Sequence, residues 1–240
     1  MRMSEAGGPA VPMVQLIAQR PPMRSGPKRW LDAKVMRSAP FVVAVSGTSG
    51  AGKSTLVRGL TEAWRAANTV AVSVMFDDFA AVSDLPEADL SGWLARGGDP
   101  DEWRTDQMAQ ELRRLKLDSQ AQAATAECGV ELVFIEEPFG RARGSIGPMV
   151  DLGLHIHLPL NVALARRLVR DLVPSAGAMD PSATEELRSY LMTYLKHGAA
   201  AYQLIDALAA AAADVVLDGL LDPGQLLQQS VEEVAVRRAR

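Results

Sequence analysis

A glycine-rich segment holds the clearest chemical signal in this chain. Residues 47–54 read GTSGAGKS, which fits the pattern G-x-x-x-x-G-K-[ST] at every fixed position. Such glycines let the backbone curl until successive N–H groups point at a phosphate, and a helix beginning near Lys53 adds its positive end. We expect Lys53 to reach the β- and γ-phosphates and Ser54 to ligate Mg²⁺. The segment predicts a nucleotide site formed by Gly47, Thr48, Ser49, Gly50, Ala51, Gly52, Lys53, Ser54 and Thr55.

Two adjacent carboxylates, Asp77 and Asp78, follow the apolar run 69–76. Phosphoryl transfer to a hydroxyl needs a carboxylate that orients the attacking oxygen and accepts its proton. Successive side chains of a strand point opposite ways, so only one of the two is expected to face the substrate. The residues alone leave open which one does, and also whether the pair merely caps a helix or is solvated.

A second acidic pair, Glu136 and Glu137, follows the apolar run 130–135. An acid at the end of a buried strand is the expected place for the carboxylate that holds Mg²⁺, directly or through water. Glu136 is the better candidate because it continues the strand, whereas Glu137 precedes a proline and is expected to turn away. The alternative is an acid that simply ends a strand.

Arginines at helical spacing are candidates for binding the transferring phosphate, because a guanidinium matches phosphate geometry and keeps its charge. Arg166 and Arg170 share a helix face, and we expect them to neutralise the developing charge. Arg167 and Arg141 are candidates for substrate contact, with solvated or ion-paired arginines as the alternative. The following segment, PSAGAMDP at 174–181, predicts a mobile lid spanning about 166–188.

Five short apolar runs alternate with helical patterns, and both are needed to position these residues. The runs lie at 41–45, 69–76, 130–135, 152–158 and 214–217. The helical patterns lie at 53–67, 105–116, 162–173, 183–212 and 223–238. Strand followed by helix five times predicts an α/β protein with the P-loop NTPase fold: a five-strand parallel sheet sandwiched by helices, with a helical lid.

The composition is that of a globular chain: 240 residues, 48% hydrophobic, 22% charged, with a formal charge of -4. We expect a cytoplasmic protein with no membrane partner, because the apolar stretches are too short to span a bilayer and a single cysteine forms no internal disulfide. Residues 1–40 hold six prolines and seven Lys and Arg against two acids. They predict an arm that is disordered or packs on the surface of the domain at 41–240. A contact between this arm and nucleic acid is the disfavoured alternative.

Together these segments resemble the uridine kinase-like branch of P-loop kinases, which includes uridine/cytidine kinases, nicotinamide riboside kinases, phosphoribulokinase and bacterial pantothenate kinase. The resemblance covers about residues 41–220 and rests on GTSGAGKST, on Asp77-Asp78-Phe79 and on LARRLVRD at 164–171. It implies that Asp77 is the catalytic base, that Glu136 takes the place of the family's Glu after the third strand, and that Asp99 binds substrate hydroxyls. Asp78 is then left as a further candidate for acceptor contact.

The predicted reaction is transfer of the γ-phosphate of ATP, with Mg²⁺, to a hydroxyl of a small molecule, with a nucleoside-like acceptor first. Uridine itself is disfavoured because residues 172–187 lack the Lys and Arg that uridine kinases carry there. Pantothenate-, sugar- and antibiotic-type acceptors are alternatives. A different function is also open, namely an NTP-binding switch or ATPase that acts through a protein partner. A homodimer is a possible assembly. Trp93 and Trp103 either stack on a substrate ring or, as we favour, pack in the interior.

His155 and His157 alternate on the predicted fourth strand and therefore face the same side. Two such histidines can ligate a metal ion. No third ligand pattern accompanies them in the sequence, so packed histidines are the favoured interpretation.

Overall fold

The computed structural model describes residues 39–79, 90–103, 105–124, 129–172 and 181–240. A parallel sheet of five strands lies at its centre, in the order β2-β3-β1-β4-β5. The strands are β1 (Phe41–Ser46), β2 (Ala71–Met75), β3 (Leu132–Glu136), β4 (Leu152–His157) and β5 (Val215–Asp218). The sheet confirms the predicted fold class, and each strand lies within two residues of a predicted apolar run.

Helices cover both faces of the sheet. They are α1 (Lys53–Ala66), α2 (Leu90–Ala95), α3 (Asp106–Ala124), α4 (Leu160–Asp171), α5 (Pro181–Thr193), α6 (Ala199–Ala212) and α7 (Pro223–Arg238). All six residues of β1 are buried. Val43 and Val45 pack in the cluster that includes α1 and α7, whereas Val42 and Ala44 pack in the cluster that includes α3. Burial on both faces explains why residues 41–45 of the strand are all apolar.

The helical elements differ from the sequence prediction in three places. The pattern at 183–212 is divided by a π-helical turn, Tyr194–Gly198, into α5 and α6. Helix α3 continues to Ala124, beyond the predicted end at 116. The prediction stopped short because the second half of the helix is polar and lacks apolar residues at helical spacing. Helix α2 was not predicted, since six residues are too few to show a helical period.

The sheet order brings the predicted chemical residues to one edge. Strand β1 lies between β3 and β4, and Glu136 at the end of β3 pairs in register with Val45 and with Met75. The carboxyl ends of β1, β2 and β3 therefore lie side by side, and the residues that follow them meet in one crevice.

Several predictions of the sequence fall outside the described residues. These are residues 1–38 of the arm predicted at 1–40, and the segment 173–180 within the predicted lid. Both the division into an arm and a domain and the mobility of the lid stay predictions. Within the described ranges, none of the helices combines the length and apolar character needed to cross a membrane.

Candidate functional site

The loop after β1 has the backbone geometry that its glycines allow. Gly47, Gly50 and Gly52 have φ of 143°, 89° and 97°, which is the region that favours glycine. A Cβ at Gly47 would lie 2.7 Å from the carbonyl oxygen of Ile156, and one at Gly50 would lie 2.5 Å from that of Ala163. At these two positions glycine is required both by the backbone conformation and by the close approach of a neighbouring carbonyl.

Helix α1 begins at Lys53 with its first N–H groups uncapped by any side chain. Gly52 precedes the helix, and the first turn contains no acidic residue. Unpaired N–H groups and the positive end of the helix dipole together favour an anion at this position. The loop and the helix terminus therefore have the backbone geometry that suits a phosphate group.

Lys53 and Glu136 face each other beside this loop. The Nζ of Lys53 lies 3.6 Å from Oε1 of Glu136 and donates a hydrogen bond of 3.4 Å to the carbonyl oxygen of Thr48. Burial lowers the pKa of the Lys53 amine, while the charges of Glu136 and Asp77 oppose that shift. The buried Oε2 of Glu136 has no hydrogen-bond partner in the described part of the chain. This oxygen is therefore available to a cation.

A cavity of about 710 Å³ occupies this edge of the sheet, a size typical of small-molecule sites. Every predicted loop residue lines it except Ala51, which is buried beneath the loop. Asp77, Glu136, Arg166 and Arg170 also line it. The structure thus brings together the residues predicted for phosphate binding, metal binding and proton transfer.

The structure separates the members of each acidic pair. Asp77 and Glu136 line the cavity, whereas Asp78 and Glu137 are absent from its described lining. Glu137 is fully buried; its Oε1 accepts a hydrogen bond of 2.8 Å from Nε of Arg143, and its Oε2 accepts one of 2.9 Å from the backbone N–H of Phe139. Glu137 therefore turns away from the cavity, as predicted.

Three further candidates for substrate contact have structural partners instead, and they are absent from the described lining of the cavity. Asp99 accepts a hydrogen bond of 2.9 Å from the backbone N–H of Asp101 and caps a short 3-10 helix. Arg141 pairs with Asp214 at 3.2 Å. Arg167 is buried, with its guanidinium 4.0 Å from the ring centre of Tyr202. Together with Asp78, these residues lie outside the described lining of the cavity to which the sequence assigned them.

Aromatic residues form part of the cavity wall. Trp103 lines the cavity and lies 5.6 Å, centre to centre, from both Trp93 and Phe139. Trp93 is completely buried, and its Nε1 donates to the carbonyl oxygen of Asp99. Interior packing is thus confirmed for Trp93, while Trp103 is placed where it can contact a ligand.

Other lining residues were not predicted, namely Arg58, Phe76, Pro138, Asp171, Tyr202 and Ile205. Arg58 lies one helical turn after Ser54 and was therefore recognisable from its spacing. Tyr202 and Ile205 lie on α6, far along the sequence from the loop, and no local pattern indicates their position.

No family model and no curated protein matches the chain. Its fold is similar to a provisionally named fructose transport system kinase from Silicibacter sp. TM1040, at 22% identity and a TM-score of 0.46, over 79% of this chain and 94% of that one. It is also similar to shikimate kinase from Acinetobacter baumannii in complex with shikimate, at 15% identity and a TM-score of 0.41, over 84% and 96% of the two chains.

The fold and the site define the class: an α/β protein with the P-loop NTPase fold. The similarities to solved structures are too distant to assign an activity. The resemblance to the uridine kinase-like branch stays a prediction.

Proposed function

We propose that this protein is a Mg²⁺-dependent phosphotransferase that moves the γ-phosphate of ATP to a hydroxyl of a small molecule. One observation carries the proposal. A single cavity holds the phosphate loop with Lys53, the carboxylates of Asp77 and Glu136, and two arginines of α4. Phosphoryl transfer to a hydroxyl needs these kinds of groups around one reacting phosphorus atom.

The chain binds and orients the donor through its backbone and three cations. The loop amides and Lys53 hold the β- and γ-phosphates, while Arg166 and Arg170 approach from α4. These positive groups stabilise the charge that develops on the transferring group.

Mg²⁺ fits the residues present. The Ser54 hydroxyl and the Glu136 carboxylate are hard oxygen ligands on the cavity wall, and Oε2 of Glu136 lacks any other partner in the described part of the chain. When bound, Mg²⁺ neutralises charge on the phosphate oxygens. The Glu136 carboxylate also lies 3.6 Å from the Lys53 amine, which orients that amine toward the loop.

Asp77 is the residue we assign to proton transfer. It is exposed, lines the cavity and lies at the carboxyl end of β2. Its carboxylate accepts the proton of the acceptor hydroxyl as the new oxygen–phosphorus bond forms and the bond to the leaving ADP breaks. Asp78, in the neighbouring position, does not line the cavity and offers a matched control.

A nucleoside-like acceptor leads the list, because it is what the sequence resemblance implies and because Trp103 and Tyr202 offer aromatic surface for a flat ring. Pantothenate-, sugar- and antibiotic-type acceptors remain in the proposal.

The test is ADP release from ATP and Mg²⁺, challenged first with pooled nucleosides and then with pooled vitamins, sugars and antibiotics. We expect one pool to stimulate turnover and to yield a phosphorylated product by mass. Asp77→Asn should lower the stimulated rate by about 10²- to 10⁴-fold, while Asp78→Asn keeps it and Lys53→Ala abolishes it. If ATP binds and no pool raises the rate above background, the phosphotransferase assignment fails, and a nucleotide switch acting through a partner replaces it.

A further inference from the structure

Three potential metal ligands meet between β4 and α6, apart from the residues of the proposed reaction. The Nε2 of His155 lies 3.1 Å from Oδ1 of Asp206, and Nδ1 of His157 lies 3.1 Å from Oδ2 of the same carboxylate. The ligand atoms of all three side chains lie within 4.8 Å of one another. Asp206 supplies the third ligand that the strand sequence lacks.

The spacing suits a small tetrahedral ion. Ligand bonds of about 2.0–2.1 Å in tetrahedral geometry place neighbouring ligand atoms about 3.3 Å apart. Each imidazole nitrogen lies 3.1 Å from one of the two oxygens of Asp206, and the ligand atoms of all three residues lie within 4.8 Å of one another. The His155 side chain is fully buried, whereas that of His157 is 58% exposed. One side of the cluster is therefore open to solvent, so a fourth ligand could reach a bound ion.

The hydrogen bonds behind His155 provide a second, independent observation. Its Nδ1 lies 3.1 Å from Oγ of Ser46, and this Oγ lies 3.3 Å from the carbonyl oxygen of Leu154. A neutral imidazole that donates from Nε2 to Asp206 must accept at Nδ1. The single Ser46 hydrogen then goes either to the ring or to the carbonyl, and one contact is lost.

A cation at Nε2 of His155 removes this conflict. The Nδ1–H then donates to Ser46 Oγ, and the Ser46 hydroxyl donates to the Leu154 carbonyl. A metal-bound histidine ordinarily donates its other ring N–H to a fixed acceptor, which sets the ring tautomer and orientation. A proton on Nε2 would satisfy the same hydrogen bonds, so the experiment must separate metal ion from proton.

We propose that His155, His157 and Asp206 bind one divalent transition-metal ion of the Zn²⁺ type, with an open fourth position. Two imidazoles and one carboxylate form the donor set that Zn²⁺ accepts, whereas Mg²⁺ prefers oxygen ligands alone. This site is thus chemically distinct from the Mg²⁺ position at Glu136.

The ion would join two elements that border the nucleotide cavity. Ser46, which contacts His155, immediately precedes the phosphate loop, and Tyr202 and Ile205 of α6 line the cavity beside Asp206. Metal binding therefore fixes α6 against β4 and stabilises the wall of the cavity.

The experiment uses the full chain, treated with chelator and dialysed, at pH 7.5, where an ordinary imidazole is mostly neutral. Zn²⁺ is titrated by calorimetry with metal analysis, and Co²⁺ by visible absorption, in the presence of millimolar Mg²⁺. We expect one ion per chain, a Co²⁺ spectrum of tetrahedral intensity, and a Tm rise of about 5–10 °C at a hundredfold excess over Kd.

Variants locate the site. His157→Ala removes an exposed ligand and should weaken Zn²⁺ binding at least tenfold without loss of folding, and Asp206→Asn should do the same. The chain has three histidines, so His197→Ala is the matched control and should bind as the wild type does. Absence of binding near one equivalent, or binding that neither His157→Ala nor Asp206→Asn weakens, would overturn the proposal. A Tm that Zn²⁺ leaves unchanged at pH 7.5 would point to the proton instead.

Discussion

Glu137 and Arg143 form an ion pair in the interior, and its disruption should cost far more stability than loss of a surface pair. Their side chains are 0% and 1% exposed, with Nε of Arg143 2.8 Å from Oε1 of Glu137. Arg143 also donates from Nη1 to the carbonyl oxygens of Pro100 and Trp103. Glu137→Gln keeps the shape of the side chain and removes its negative charge. The buried guanidinium of Arg143 then lacks the carboxylate that pairs with it.

Removing one partner of a buried ion pair costs about 3–5 kcal/mol. In a protein of this size each kcal/mol corresponds to about 2–4 °C in Tm, so we expect a decrease of about 6–20 °C. The same arginine holds the backbone of Trp103, which lines the cavity. The variant should therefore also bind the acceptor more weakly.

The assay is thermal unfolding followed by circular dichroism, with urea unfolding for the free energy. Glu185→Gln is the control, because the Arg188–Glu185 pair is 74% and 72% exposed and exposed pairs contribute little. Glu137→Leu combined with Arg143→Met should recover much of the loss, since neither charge then remains buried.

One result would refute this reasoning. Burial raises the pKa of the Glu137 carboxyl, against the charge of Arg143. A decrease for Glu137→Gln as small as that for Glu185→Gln would mean that the carboxyl is already neutral in the folded protein. No buried ion pair would then exist to be broken.

Two further predictions concern the loop and the cavity wall. Gly50→Ala places a Cβ 2.5 Å from the carbonyl oxygen of Ala163 at a φ of 89°, so it should lower both Tm and ATP affinity in thermal and calorimetric titrations. Gly97→Ala is the control, because Gly97 has a similar φ of 96° but an added Cβ would meet no atom within 4 Å. An equal loss of Tm in the two variants would show that the close contact at Gly50 has no effect. Trp103→Leu should raise the acceptor KM in steady-state kinetics and leave the KM for ATP unchanged; a change in the ATP value alone would contradict the placement of Trp103 beside the acceptor.

The fold was predictable because its central strands are buried on both faces. The first strand is therefore apolar at each of residues 41–45, and this pattern is visible without any knowledge of neighbours. The phosphate loop was predictable for a similar reason, since its glycines are required by the positive φ angles of the local backbone. The short α2 and the π-helical turn carry no such local pattern.

The partners of side chains whose contacts lie far away in the sequence were not predictable. Arg141 has the charge that suits a phosphate, yet Asp214 comes within 3.2 Å of it only after the chain has folded. Asp206 likewise reaches His155 from another element. Residue type states what a side chain is able to bind, whereas the partner that comes near it depends on tertiary contacts that the local sequence does not contain.

The central position of β1 also has a consequence for synthesis on the ribosome. Phe41 pairs with Leu132, and Val43 pairs with Leu152, so this strand is made well before either neighbour. At about 5–20 residues per second, the delay is on the order of ten seconds. During that interval the five-residue apolar segment 41–45, which has strong strand propensity, is exposed, and this favours aggregation. The stretch that leads into the phosphate loop would thus benefit from protection by a chaperone during synthesis.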